Sequence, residues 1–233
     1  SPFNAKYNFK IKVIDKIWIS KKQKARIWCF AKSNYSKYFL ERRGFQRIVV
    51  TGVGVDIDKF GNCDSDIQSE IDKEIRAFKG TDRLLLYIGQ ISDRRSTLFL
   101  INLMGELVKK DLQIKLLIIG NGQKGYKQKC LSLIKKLELE EKIYYRESIT
   151  QNQVSCLYKL ADIFVFPTKY EIFGMVMLEA MYFGLPVITT DNGGSSTVIH
   201  DNQNGYILPL VIDEWINKII ELKGSSEVKR IGE

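Results

Sequence analysis

From Arg83 onward, short apolar runs alternate with stretches whose apolar residues recur at three- and four-residue spacing. This alternation constrains the fold more than any other feature of the chain. Short, continuously apolar strands are stable in a parallel sheet that helices cover on both faces. The pattern predicts strands over 84–88, 114–119, 142–146, 163–166, 186–190 and 205–208. It predicts helices over 97–109, 126–137, 151–160, 173–183, 195–199 and 212–223. The expected fold class is α/β, a doubly wound parallel sheet, whose ligands collect at the carboxyl ends of the strands. Gly89-Gln90, Gly120-Asn121-Gly122, Glu147-Ser148, Glu171 and Asn192-Gly193-Gly194 all fall at such ends.

One segment of this pattern carries unusual chemistry. In Tyr170–Met181, Glu171 falls in the turn between a strand and a helix, and Glu179 is the single charged residue on an otherwise greasy helix. A carboxylate among Val176, Met177, Leu178 and Met181 is costly to bury without a hydrogen-bonding partner, so it is expected to face a ligand rather than merely reach an edge of the core. Eight helical positions separate two glutamates by roughly 12 Å at 1.5 Å rise per residue. They point about 80° apart, so both can face one cleft. Between them, the backbone amides near Phe173 and Gly174 open a helix, where an anion is favoured. Hydroxyls, an anion and hydroxyls again describe a nucleotide diphosphate sugar.

Pro167-Thr168, Glu171, Phe173-Gly174 and Glu179-Ala180-Met181, continued by Gly184–Thr190 and Asn192-Gly193-Gly194, resemble the paired-glutamate signature of the retaining GT-B glycosyltransferases of family four. The resemblance covers roughly residues 45 to 223. It implies a Rossmann-like C-terminal domain that binds the sugar donor, with transfer to an acceptor at retained anomeric configuration. Glu171 would hold sugar hydroxyls and Glu179 the ribose hydroxyls. Arg95 and the backbone of Phe173, Gly174 and Met175 would hold the diphosphate, and Asn192 and Gly193 would line the sugar pocket. Gly89 and Gln90, with Gly120, Gly122 and Glu147, complete the expected donor site. The family usually carries an Arg where Gln90 stands and a Lys where Arg95 stands, so one of the two charges is absent. Such enzymes meet leaving-group charge with helix dipoles and basic side chains, so no metal and no further cofactor is expected.

Two other readings stand beside this one. Gly120-Asn121-Gly122-Gln123-Lys124-Gly125 is GxGxxG between a strand and a helix, with Glu147 after the next strand, as in an NAD-binding oxidoreductase. Against it, these glycines open the second strand–helix unit, whereas that fold uses the first. Gln90 and a missing half also fit a catalytically silent sugar-nucleotide-binding module. Asp56-Ile57-Asp58 and Asp64-Ser65-Asp66 have the shape of a metal-binding pair, but such pairs are common by chance. His200, the single histidine, is expected in an exposed loop.

The first part of the chain divides differently. Residues 1–55 are expected to be a remnant of the N-terminal, acceptor-binding domain: a short buried strand within Arg26–Ala31, a helix from Tyr35 to Arg43 and a strand from Arg47 to Thr51. Residues 56–81 form a linker and 82–233 the nucleotide-sugar domain. The net charge of +9 suggests anionic partners. Much of the basic excess lies early, at Lys21–Arg26 and Arg42-Arg43. The partners expected are a nucleotide sugar, a glycan or lipid-linked acceptor, a membrane surface touched by the basic residues, and a missing N-terminal half or a second copy, but no nucleic acid. The four cysteines are widely spaced and read as buried thiols of a reducing compartment. With no span-length apolar run and no secretory leader, the expected location is the cytoplasm, peripherally at a membrane. The opening Ser-Pro-Phe is that expected of a processed or excised chain.

Overall fold

The structure, a computed structural model, describes residues 19–56 and 70–224. Two parallel sheets organise them. The smaller pairs β1 (Trp28–Ala31) with β2 (Arg47–Val50), following the short helix α1 (Lys21–Lys24) and joined by α2 (Asn34–Glu41). Helix α2 is opened by Ser33, whose hydroxyl accepts from the Ser36 amide at 3.1 Å and so satisfies one of the free amides of the first turn.

The larger sheet follows α3 (Glu70–Lys79). In chain order it comprises β3 (Arg83–Ile88), β4 (Ile114–Ile119), β5 (Ile143–Arg146), β6 (Ile163–Phe166), β7 (Val187–Thr189) and β8 (Tyr206–Ile207). Its spatial order is β5-β4-β3-β6-β7-β8, parallel throughout. Helices α4 (Thr97–Lys109), α5 (Lys124–Lys136), α6 (Gln151–Leu160), α7 (Met175–Tyr182), α8 (Ser195–Val198) and α9 (Ile212–Gly224) fill the crossovers and the end. Right-handed crossovers send the helices to one face while the chain moves from β3 to β5 and to the other once it returns to β6. In keeping with this, α4 packs on α5 and α9, and α3 packs on α6.

The central strands are buried on both faces, which is why Leu84, Leu85, Leu86 and Ile163–Phe166 read as unbroken apolar runs. Trp215 of α9 is buried against Phe99 of α4, and its indole N–H donates to the Pro209 carbonyl at 2.8 Å. This anchors the end of the described chain back across the sheet. Strand order reverses between β3 and β6, and the loops after these two strands flank the crevice where such sheets bind ligands.

Two expectations are corrected. The first strand is buried on one face only: Ala31 is buried, but Trp28 is 59% and Phe30 70% exposed, since among the described residues nothing covers the other face of the two-stranded sheet. The cysteines are not four equivalent buried thiols. Cys29 is free and half-buried, and Cys130 is free and buried, its thiol pushed up to about 11 by burial. Cys156 is disulfide-bonded. Sequence spacing cannot reveal which sulfurs the fold brings within bonding distance. Asp58 and the Asp64–Asp66 pair lie outside the described residues, as does half of the expected linker. Among the described residues, no helix is long and apolar enough to cross a membrane, and no three His, Cys, Asp or Glu side chains cluster as a metal site.

Candidate functional site

The site begins with the loop after β3. Tyr87 is fully buried and donates its hydroxyl to the Gln90 carbonyl at 2.8 Å, bending the chain sharply out of the strand. Burial raises its phenol well above the ordinary range, the nearby Arg95 charge opposing this only in part, so the donor proton stays in place. Asp93–Arg95 then form a single helical turn that ends at Ser96, a non-glycine residue with φ of 51°.

The loop after β6 closes onto that turn. The Lys169 amide donates to the Arg94 carbonyl at 2.8 Å, and the Lys169 ammonium reaches both oxygens of Asp93 at 2.9 and 3.0 Å. Thr168 is fully buried between the two segments. Arg95 is drawn inward: its guanidinium lies 4.8 Å from the Phe166 ring centroid, donates to the Thr168 hydroxyl at 3.4 Å and pairs with the Glu171 carboxylate. Both partners of this pair are about 85% shielded, so the attraction is little screened by water. The remaining Glu171 oxygen accepts from the Ile172 amide at 2.9 Å, and the Glu171 amide donates to the Asn192 carbonyl at 2.8 Å. Three loops, after β3, β6 and β7, are thus tied together around one guanidinium and one carboxylate.

Helix α7 starts two residues later than the pattern predicts. Gly174 precedes it at φ of 80° and ψ of 62°, a left-handed conformation that a residue with a Cβ adopts at a cost, and the chain turns there before the helix can begin. The opening amides therefore belong to Met175 and its successors rather than to Phe173. Glu179 lies one turn further on, half-buried. It has a partner within the protein: the Tyr158 hydroxyl of α6 donates to Glu179 Oε2 at 2.9 Å. Tyr158 is the site residue that sequence reasoning missed, since twenty-one positions and a strand separate the pair.

The remaining predicted residues divide into those the structure brings to the crevice and those it uses elsewhere. Gln90 is exposed at the crevice edge. Gly193 sits under Tyr35 of α2, whose ring would be 3.0 Å from an added Cβ, and Tyr35 also meets Tyr170 edge-on at 6.1 Å. Asn192 is different. It is buried, its carboxamide oxygen accepts from the Gly194 and Ser195 amides at 3.1 and 2.9 Å, and its nitrogen donates to Thr189 at 3.0 Å. The side chain therefore holds the loop, with both carboxamide atoms already bonded.

Gly120 and Gly122 serve a contact within the protein. A Cβ on Gly120 would come within 1.9 Å of the Gly89 carbonyl oxygen, and one on Gly122 within 2.0 Å of that of Ile91. The two loops run side by side there, as the Ile91–Gly122 bridge shows. Glu147 is exposed and engaged by the Lys127 ammonium, whose pKa the contact raises. The glycine spacing that suggested a dinucleotide turn thus has a structural use of its own. His200 lies exposed in its loop, as expected.

Comparisons with known proteins bear on this site as a whole. The sequence profile of the family described as "Glycosyl transferases group 1" matches residues 68–231. Among curated proteins, an uncharacterized glycosyltransferase of Methanocaldococcus jannaschii is 30% identical over 125 residues, covering 53% of this chain and 31% of that protein. D-inositol 3-phosphate glycosyltransferase of Frankia alni is 26% identical over 172 residues, covering 70% of this chain and 40% of that protein. Among solved structures, Anabaena HepE in complex with UDP-glucose matches with a TM-score of 0.78 at 18% identity, covering 98% of this chain and 61% of that chain. The chain thus spans well under half the length of these two curated relatives, and it shares its Rossmann-like α/β fold with part of HepE. With the profile match extending over most of its length, the chain belongs to the family of glycosyl transferases group 1.

Proposed function

We propose that this chain is mainly the donor-binding half of a glycosyltransferase that moves a sugar from a nucleotide diphosphate sugar to an acceptor with retention of configuration. The observation that carries the reading is the arrangement around α7. Glu171 stands before the helix, no side chain caps its opening amides, Glu179 follows one turn in, and Arg95 reaches the same point from the loop after β3. A diphosphate at the helix start would draw Arg95 away from Glu171, exchanging one carboxylate partner for a more highly charged one. Glu171 would then be free to accept from sugar hydroxyls, while Glu179 accepts from the ribose. The leaving diphosphate would be met by Arg95 and the α7 amides, with no metal required. The departing phosphate would itself deprotonate the acceptor.

HepE is solved with UDP-glucose, which makes UDP-sugars the first donors to try. One relative is named a D-inositol 3-phosphate glycosyltransferase and another an alpha-monoglucosyldiacylglycerol synthase, which makes a polyol phosphate and a diacylglycerol lipid the first acceptors to try beside glycans. A thermal-shift panel of UDP-, GDP- and ADP-sugars with NAD tests the reading. A sugar nucleotide should stabilise the protein, with affinity of roughly −4 to −8 kcal/mol, or millimolar to micromolar. Stabilisation by NAD alone would overturn it. Glu179→Ala should cost about 1.5–3 kcal/mol of nucleotide affinity, the range for hydrogen bonds to a charged group.

A second reading rests on Gln90, an uncharged residue at the crevice edge: a module that binds donor without transferring it. A radiolabelled-donor assay on these 233 residues, alone and joined to an acceptor-binding half, separates the two. Transfer only by the joined protein supports the enzyme, and binding without transfer in both supports the silent module.

A further inference from the structure

Tyr158 lies outside every loop that forms the crevice, yet its position is tightly specified. The residue is fully buried on α6, its ring stacked on Phe183 at 5.4 Å and 13° and tilted against Phe164 at 5.9 Å. A hydroxyl buried among aromatic rings is costly unless it is hydrogen-bonded. Two acceptors lie within reach, Glu179 Oε2 at 2.9 Å and the Val176 carbonyl at 3.4 Å, and its single proton serves the shorter contact. Burial, and next the adjacent Glu179 charge, push this phenol well above its ordinary value of 10, so it remains a donor throughout the neutral range.

The consequence falls on the glutamate. Glu179 Oε2 is tied to Tyr158, whereas Oε1 makes no hydrogen bond among the described residues and is not closed off from solvent. A glutamate on a helix surface ordinarily samples many rotamers, and ordering it on binding weakens affinity. Here one oxygen is fixed before any ligand arrives and the other is left to accept.

We propose that Tyr158 is a positioning residue for the nucleotide: its hydroxyl holds the Glu179 carboxylate so that Oε1 is presented to the ribose hydroxyls. This rests on the reading of Glu179 as the ribose acceptor.

The test uses three probes on the 233-residue chain: UDP, 2′,3′-dideoxy-UDP and inorganic pyrophosphate, with GDP or ADP and their dideoxy analogues if the panel selects them. In the parent protein the ribonucleotide should bind more tightly than its dideoxy analogue. Tyr158→Phe, which keeps the stacked ring, should shrink that preference by about fivefold to tenfold, the scale of one hydrogen bond. Affinities for the dideoxy analogue and pyrophosphate should stay within about twofold. Phe183→Leu, which keeps the hydroxyl but removes the ring stacked on it, should shrink the preference in the same direction by a smaller factor. It gives an answer even if Tyr158→Phe does not fold. An undiminished preference in the variants overturns the proposal, as does equal weakening of all three probes, which marks a packing role. If the parent shows no preference, the ribose assignment of Glu179 fails first and the proposal falls with it.

Discussion

Gly122→Ala separates two explanations of the same glycine motif. If Gly122 lets a ligand approach, the substitution should harm binding and leave the empty protein intact. If it lets two loops touch, the empty protein should suffer. The geometry favours the second: an added Cβ would lie 2.0 Å from the Ile91 carbonyl oxygen and 2.9 Å from its carbon. Relief to an ordinary contact needs a retreat of about 1.4 Å by a backbone segment that holds Ile91 in the core at 2% exposure. The Ile91 amide's 2.9 Å bond to the Asn121 carbonyl would stretch or break. Losing one hydrogen bond costs about 0.5–1.5 kcal/mol. Overpacking at a buried site adds about 1–3 kcal/mol. Together they suggest about 2–4 kcal/mol, or a fall of roughly 5–15 °C in melting temperature for a domain of this size. Thermal and urea melts of the ligand-free protein measure it. Gly125→Ala is the control: nothing lies within 4 Å of its added Cβ, and inside α5 it should stabilise by about 0.5–1 kcal/mol. A Gly122→Ala protein that melts with its parent but loses nucleotide would refute the loop-contact argument.

Further outcomes are expected. Arg95→Ala should destabilise the ligand-free protein by about 1–3 kcal/mol, because Glu171 and Thr168 lose a charged donor, and it should also weaken diphosphate binding. Arg95→Lys should recover only part of both, since an ammonium cannot fork or stack on Phe166. An alanine variant of undiminished stability would show that the pair contributes nothing. The pH profile follows from Tyr87 and Tyr158, both raised chiefly by burial. Below pH 10 each is protonated, folded or unfolded. Above it the unfolded chain ionises first, so stability should fall by about 1.4 kcal/mol per pH unit for each tyrosine, and Tyr158→Phe should lessen the slope. Urea midpoints that stay level from pH 9 to 11 would contradict this. Nucleotide affinity should be the same with and without EDTA, and a large loss on chelation would return attention to the aspartate pairs near residues 56–66.

The sequence by itself determined the order and kind of the elements from β3 to α9, because the periods of strand and helix are local properties of the chain. The carboxyl ends of the strands as the ligand side followed from the same order, whereas the strand order that opens the crevice between β3 and β6 came from the structure. The paired glutamates were legible too, as carboxylates that interrupt an apolar pattern. What the sequence could not show is how those charges are satisfied. Arg95 and Glu171 are 76 positions apart, Tyr158 and Glu179 are 21, and both pairs meet only after the sheet brings distant loops and helices together. The same limit governs contacts and burial elsewhere. Asn192 sits where a ligand contact was expected, but a buried carboxamide beside unsatisfied amides is drawn to them first. The strand within Arg26–Ala31 reads as buried because it is apolar, yet burial requires a second layer, and among the described residues none covers the face that carries Trp28 and Phe30. Apolar pattern states what a strand would bury. Tertiary structure decides whether anything is there to bury it against.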